Sequence, residues 1–218
     1  MVENIHPDFE RFVSREQKEN LLGPKGCVLW FYGMSGSGKS TIATEVEHQL
    51  NAQGRFTTVL DGDNLRSGLN GDLGFTDEAR HENVRRTAEV AKLFASQGII
   101  TLISVITPLK KFRTLAREII GPDFHEIYIK ADYETCAQRD PKGLYAKVAE
   151  GKVANFTGKD SGFEEPEEAT LIRYDSTLTS TKCGANFYPV ESLEITYYVR
   201  LLTQSSRSDR SGSDLYSP

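Results

Sequence analysis

Short apolar runs rich in β-branched or aromatic residues recur at Cys27–Tyr32, Thr57–Leu60, Ile99–Val105, Glu126–Lys130 and Leu171–Tyr174, and each reads as a strand. The stretches between them carry helical spacing. Ile42, Val46 and Leu50 fall on one face, as do Val84, Ala88, Ala91 and Ala95 ahead of the third strand. Strand alternating with helix predicts an α/β fold of three layers, a central parallel sheet flanked by helices on both faces. Ligands of such sheets bind beyond the carboxyl ends of the strands.

Outside this core, a short helix is predicted from about Phe9 to Leu22, with Ser14 and Gln17 spaced as a capping box. A closing helix is predicted over Pro189–Gln204 from Val190, Leu193, Tyr197 and Leu201. The final SSRSDRSGSDLYSP is almost without apolar residues and is expected to be disordered. The predicted organisation is a helical extension over 1–25, one domain over 26–204 and a tail over 205–218.

The composition, 38% hydrophobic and 26% charged, is that of an ordinary soluble domain. No apolar run approaches the ~20 residues of a membrane span, and the first residues lack a signal-peptide pattern. Cys27, Cys136 and Cys183 are odd in number and widely spaced, which reads as reduced thiols in the cytoplasm. A net charge of −5 argues against a surface that coats nucleic acid, so a nucleotide would need a local positive pocket.

Such a pocket is encoded after the first strand. Gly33-Met-Ser35-Gly36-Ser37-Gly38-Lys39-Ser40-Thr41 satisfies GxxxxGK[ST], the P-loop, between an apolar strand and an amphipathic helix. Its glycines let successive N–H groups converge on an anion, and the helix N-terminus adds partial positive charge. Lys39 is placed to reach the β- and γ-phosphates of ATP, and the Ser40 hydroxyl to ligate Mg²⁺. A P-loop alone does not choose between a kinase and an NTPase switch.

The second strand runs into Asp61-Gly-Asp63-Asn64-Leu65-Arg66. Two carboxylates at that strand end would lie beside the transferred phosphate, one holding Mg²⁺ through water and the other accepting a hydroxyl proton. Arg66 follows as a candidate anion clamp. An Asp-Gly turn closing a strand is the plain alternative; the neighbouring P-loop favours the catalytic reading.

Taken together, GMSGSGKST, LDGDNLRSGLNGDLGF (60–75), ARHENVRR (79–86), DPKGLY (140–145) and NFTGKD (155–160) resemble the adenylyl-sulfate kinase (APS kinase) family from about Gly26 to Tyr174. The resemblance implies a P-loop NTPase fold and ATP-dependent phosphorylation of the 3′-hydroxyl of adenosine 5′-phosphosulfate (APS), giving PAPS and ADP. It implies that Lys39, Asp61 and Asp63 are catalytic, with Asp63 the base, and that Ser40, Asp61 and Asp63 serve Mg²⁺. Gly33, Ser35, Gly36, Ser37, Gly38, Lys39, Ser40, Thr41 and Arg139 would hold ATP. Arg66, Arg80, Asn83, Ile106, Thr107, Lys142 and Leu144 would surround APS, whose adenine would lie between Phe75 and Phe156. The segment 141–162, charged and punctuated by glycine, would be a mobile lid. Core packing is the ordinary fate of a Phe; Leu-Gly-Phe-Thr and Asn-Phe-Thr-Gly are instead loop-like and lack an apolar period.

The chain departs from the family pattern at several points. Thr107 stands where many members carry a serine that can be phosphorylated, Lys110 replaces an expected Arg, Phe112 an Asp, and Ala149 an Arg. These changes motivate a second reading, a kinase of the same fold acting on another sulfate-like nucleotide. A third, a non-catalytic nucleotide-binding regulatory domain, should have lost Lys39 or the acidic pair, and all three stand. From the resemblance, a homodimer is expected, and functional coupling to an ATP sulfurylase; neither a nucleic-acid nor a membrane partner is.

Overall fold

Cys27–Tyr32 (β1) is buried along its whole length, as a central parallel strand covered on both faces must be. In the computed structural model, which describes residues 11–23, 25–152, 156–158, 162–167 and 171–174, it stands third in a five-stranded sheet. Its partners are Thr57–Asp61 (β2), Ile100–Ser104 (β3), Phe124–Lys130 (β4) and Leu171–Tyr174 (β5), in the order β2-β3-β1-β4-β5. Every adjacent pair is parallel, so all carboxyl ends share one edge; the register sets Phe31 and Asp61 beside Ser104, and Tyr32 beside Tyr128.

Strand alternation divides the core in two. Val28, Trp30 and Tyr32 face Asp77–Ser96 (α4) and Lys110–Ile120 (α5), meeting Val84, Ala88, Ala91, Ala95, Phe112 and Ala116. Cys27, Leu29 and Phe31 face the other way, against Ile42, Ala43, Val46 and Leu50 of Lys39–Ala52 (α2). Each fully buried aliphatic or Phe side chain contributes roughly 1.5–3 kcal/mol, so β1 and its helices dominate the stability of the domain. Phe112, where the family pattern has an acid, is 1% exposed and belongs to this core.

Arg15–Leu22 (α1) docks at the opposite, amino end of the sheet. Arg15 bonds Asp123 at 2.5 and 3.0 Å and the Gly26 carbonyl at 2.6 Å, while Glu19 accepts from Gly26 N. The Ser14–Gln17 capping box is present and starts this helix at Arg15, later than expected: Phe12 and Val13 lie before the cap, exposed. Shorter helices complete the chain: Gly62–Arg66 (α3), Tyr133–Arg139 (α6) and Leu144–Ala149 (α7). Around α6 and α7 a small third core gathers Ala131, Cys136, Tyr145, Val148 and Phe156. The expected closing helix Pro189–Gln204, the 205–218 tail and Cys183 lie outside the described residues. No described helix is long and apolar enough to cross a membrane.

Candidate active site

The predicted phosphate-binding turn leaves β1 at Tyr32 and enters α2 at Lys39. Gly36 and Gly38 hold φ of +78° and +99°, the left-handed region that side chains disfavour, and so let the backbone curl round the position of an anion. Lys39 is 8% exposed and donates to the Met34 carbonyl at 2.7 Å. Burial lowers its pKa from the ordinary 10.5 to about 8. The Ser37 hydroxyl is buried within the turn with no protein partner, an orphaned polar group that a phosphate oxygen would satisfy. A buried ammonium, an unpaired hydroxyl and a helix N-terminus together fit a nucleotide polyphosphate.

Ser40, one residue on, donates to Asp61 Oδ2 at 2.7 Å and lies 3.0 Å from the Ser104 hydroxyl. The β2–β3 register explains the meeting, because Asp61 and Ser104 are paired at the ends of neighbouring strands. The other oxygen of Asp61 accepts from Asp63 N at 3.0 Å and caps α3. These hard oxygen ligands suit Mg²⁺, which takes one or two protein groups and completes its shell with phosphates and water. No trio of His, Cys, Asp or Glu with metal-ligand spacing occurs among the described residues. Ser104 was not among the expected site residues; a polar residue closing a buried strand was the signal for it.

Asp63 faces the other way, toward the segment expected to be the lid. Its carboxylate pairs with the Lys142 ammonium, both side chains being more than half exposed. The two acids of the turn are thus distinct, Asp61 turned to the P-loop serine and Asp63 to the lid lysine.

The expected APS-binding residues fall into two groups. Arg66 donates to the carbonyls of Leu73 and Gly74 at 2.9 and 3.0 Å, and its guanidinium lies 4.4 Å from the centre of the Phe75 ring. Phe75 is 60% exposed, free to present its ring to a ligand. Arg80 donates to the Phe75 carbonyl at 3.0 Å and to Thr157 Oγ1 at 2.7 Å, so it joins the two segments that carry Phe75 and Phe156. Burial lowers the pKa of both guanidiniums.

The second group is buried. Asn83 Oδ1 accepts from Asn70 Nδ2 at 3.0 Å inside α4's packed face. Thr107 is 3% exposed, and its hydroxyl accepts from Trp30 Nε1 at 3.0 Å. The Ile106 carbonyl accepts from Gly33 N at 3.3 Å, which ties the P-loop to the turn after β3. Phe156 is 8% exposed and meets Tyr145 edge-on at 4.8 Å. The loop-like neighbours of Phe156 thus misstated its burial: the ring has packing partners that a local sequence window does not show.

The helices α6 and α7 touch the P-loop by contacts that the sequence did not announce. Tyr145 on α7 donates its hydroxyl to the Ser35 carbonyl at 2.7 Å, and Arg139 reaches the Gly36 carbonyl at 3.4 Å. Leu144 is partly buried against the third core. Ala149 is exposed at the end of α7, and Lys110 pairs with Glu167 at 3.3 Å.

Comparison with known proteins places these features in a family. The model of the family described as adenylylsulphate kinase matches residues 25–173. The adenylyl-sulfate kinase of Clostridium acetobutylicum is 50% identical over 177 residues, 81% of this chain and 88% of that one. That of Bacillus licheniformis is 54% identical over 164 residues, 75% of this chain and 83% of its own. Among solved structures, the Mycobacterium tuberculosis APS kinase in complex with AMPPNP and APS superposes with a TM-score of 0.73 at 40% identity, covering 81% of this chain and 99% of that one.

Proposed function

The chain belongs to the adenylylsulphate kinase family, and from that premise we propose how its own residues transfer the γ-phosphate of ATP to the 3′-hydroxyl of adenosine 5′-phosphosulfate. The observation that carries the reading is the convergence, at one edge of the sheet, of Lys39, the Ser40–Asp61 pair and the Arg66–Phe75–Arg80 cluster.

ATP lies with its phosphates in the turn Gly33–Thr41. Backbone N–H groups and the α2 N-terminus take the phosphate oxygens, and Lys39 exchanges its bond to Met34 for one to the β- and γ-phosphates. Ser40 and Asp61 would hold Mg²⁺, which when bound neutralises charge on the phosphates. Arg139 lies on the ATP side of the lid.

APS enters opposite. Its adenine stacks on Phe75, whose exposed ring already carries the Arg66 guanidinium on one face; stacking of this kind is worth ~1–3 kcal/mol. Phe156 closes the pocket from the lid side, held by Tyr145, and Arg80 keeps the two segments together. Asn83, Ile106, Thr107 and Leu144 complete the wall. Asp63 accepts the proton of the 3′-hydroxyl as its oxygen attacks the γ-phosphorus in line. For this Asp63 must release Lys142, which costs little because the pair is solvent-exposed. The bond formed is O3′–P, the bond broken joins the γ-phosphorus to the β–γ bridging oxygen, and Lys39 stabilises charge on the moving group. Direct transfer is supported at Thr107, whose hydroxyl is buried and engaged by Trp30 rather than open to receive a phosphoryl group.

A cytoplasmic location and a homodimer complete the proposal, the exposed Phe12 and Val13 offering apolar contact to a second copy. Functional coupling to an ATP sulfurylase, the source of APS, follows from the substrate. A coupled ADP-release assay with Mg·ATP and APS tests the reading. Turnover that requires APS and is lost in Asp63→Asn is the expected result; activity with a different acceptor nucleotide would replace the substrate, and none with any would overturn the kinase.

A further inference from the structure

Thr107 has φ of +41°, and among the described residues it is the one non-glycine with φ above +20°, in the left-handed region. A β-branched residue is strained there and keeps the conformation only where its surroundings enforce it. Three groups do so. Trp30 Nε1 holds the Thr107 hydroxyl at 3.0 Å, Glu164 N holds the Pro108 carbonyl at 2.9 Å, and Arg113 Nη1 donates to the carbonyls of both Thr107 and Pro108 at 3.2 Å.

Arg113 is itself fixed. Its side chain is 4% exposed, pairs with Glu126 at 3.2 Å and lies 4.9 Å over the Tyr32 ring, while Arg117 takes the other Glu126 oxygen. A buried ion pair is a poor device for stability, since apolar residues of like volume serve as well or better. What a guanidinium adds, and an apolar side chain does not, is a rigid set of N–H groups aimed at two successive carbonyls.

We propose that Arg113 is a positioning residue for APS: braced by Glu126, it holds the turn 105–108 in the strained form that shapes the acceptor side of the site. The proposal rests on the reading of Ile106 and Thr107 as part of the APS wall. The same turn accepts from Gly33 N through Ile106, so its placement also bears on the P-loop. The strap of residues 162–167 reaches it as well: Phe163 stacks on Tyr128 at 5.6 Å, and Glu164 accepts from Lys110 N at the start of α5. The segment that follows Phe156 is thereby tied to the turn that Arg113 holds.

The test uses Arg113→Lys in the full chain, which keeps the charge beside Glu126 and loses the fork. Loss of bonds from a charged donor predicts a rise of about tenfold in KM for APS, with kcat within about twofold and a smaller rise in KM for ATP, because the turn also holds Gly33 N. Trp30 is the single tryptophan of the chain and is fully buried, so its emission reports on the turn directly. A red shift in the unliganded variant is expected. An unchanged KM for APS together with unchanged emission would overturn the proposal. Should Arg113→Lys not fold, Glu126→Gln weakens the brace on Arg113 instead; a rise of about threefold in KM for APS supports the proposal, and no change overturns it. If the wild-type chain itself does not turn over APS, the substrate reading fails, and emission alone decides whether Arg113 holds the turn.

Discussion

Lys142, in the turn before α7, forms an ion pair with Asp63 in the first turn of α3, and so the lid meets the acidic turn through the residue assigned as base. The side chains are 53% and 67% exposed, which limits the pair to the small stabilisation of surface salt bridges. Its value lies in placement. On the proposed reading, a lysine that leaves Asp63 when substrate arrives would stand next to the anionic phosphosulfate of APS.

Lys142→Met is accordingly expected to leave the denaturation midpoint nearly unchanged, within about 0.5 kcal/mol. It should lower kcat/KM for APS about tenfold through loss of a charge-assisted contact. Urea unfolding and steady-state kinetics read the two separately. An unaltered kcat/KM would remove Lys142 from the acceptor site.

Lys39 gives a pH prediction. Burial brings its folded pKa to about 8, against an ordinary 10.5 that the unfolded chain retains. Between those values the unfolded state holds a proton that the folded state has released, so this group's contribution to stability rises with pH across the window and is flat below it. Bound phosphates favour the ammonium, and nucleotide binding should therefore take up a proton at about pH 9. Calorimetry in two buffers of different ionisation enthalpy measures that uptake. It should vanish in Lys39→Met, which should also lose about 10²–10³-fold in kcat while staying folded. Equal uptake in the variant would assign the proton elsewhere.

Tyr145→Phe removes a hydroxyl and keeps the ring. The ring keeps its edge contacts with Tyr133 and Phe156, at 5.2 and 4.8 Å, so the third core should survive. What is lost is the bond to the Ser35 carbonyl at 2.7 Å, which ties α7 to the P-loop, and with it the hydroxyl's contact with the Cys136 thiol inside the third core. KM for ATP is expected to rise about three- to tenfold, in line with a net hydrogen-bond contribution of about 0.5–1.5 kcal/mol. A KM that does not move would mean that the lid is held by packing alone.

The sheet was legible in the sequence because its strands are short, continuous apolar runs, and the observed ends of β2, β3 and β4 differ from the expected ones by no more than two residues. The helices α2 and α4 were legible from their buried stripes. By contrast α3, α6 and α7 run only five to seven residues, too short for a period to show. At the site, Lys39, Ser40 and Asp61 announced themselves because the P-loop and the end of β2 fix them through local backbone. Ser104 and Tyr145 did not, since each acquires its partner across the fold, Ser104 from Ser40 and Tyr145 from Ser35. Phe156 shows the same limit from the other side: its neighbours are polar or small, yet its ring is covered by residues distant in sequence.

Phe75 and Phe156 are assigned to one ligand but sit in opposite surroundings, and that difference separates binding from stability. Phe75, 60% exposed, has little packing to lose, so Phe75→Ala should change stability by less than about 0.5 kcal/mol. Phe156, 8% exposed beside Tyr145 and Cys136, fills the third core, and Phe156→Ala should cost about 3–5 kcal/mol in the unit it belongs to. That unit is the lid with α6 and α7, so the loss should appear as faster amide exchange at α7 before it appears in the global midpoint. Both variants should raise KM for APS by about tenfold or more, because base stacking on an aromatic ring is worth ~1–3 kcal/mol. If Phe75→Ala leaves KM for APS untouched, the adenine does not lie on that ring. If Phe156→Ala loosens α7 and leaves KM unchanged, the ring is a strut of the lid and not part of the acceptor pocket.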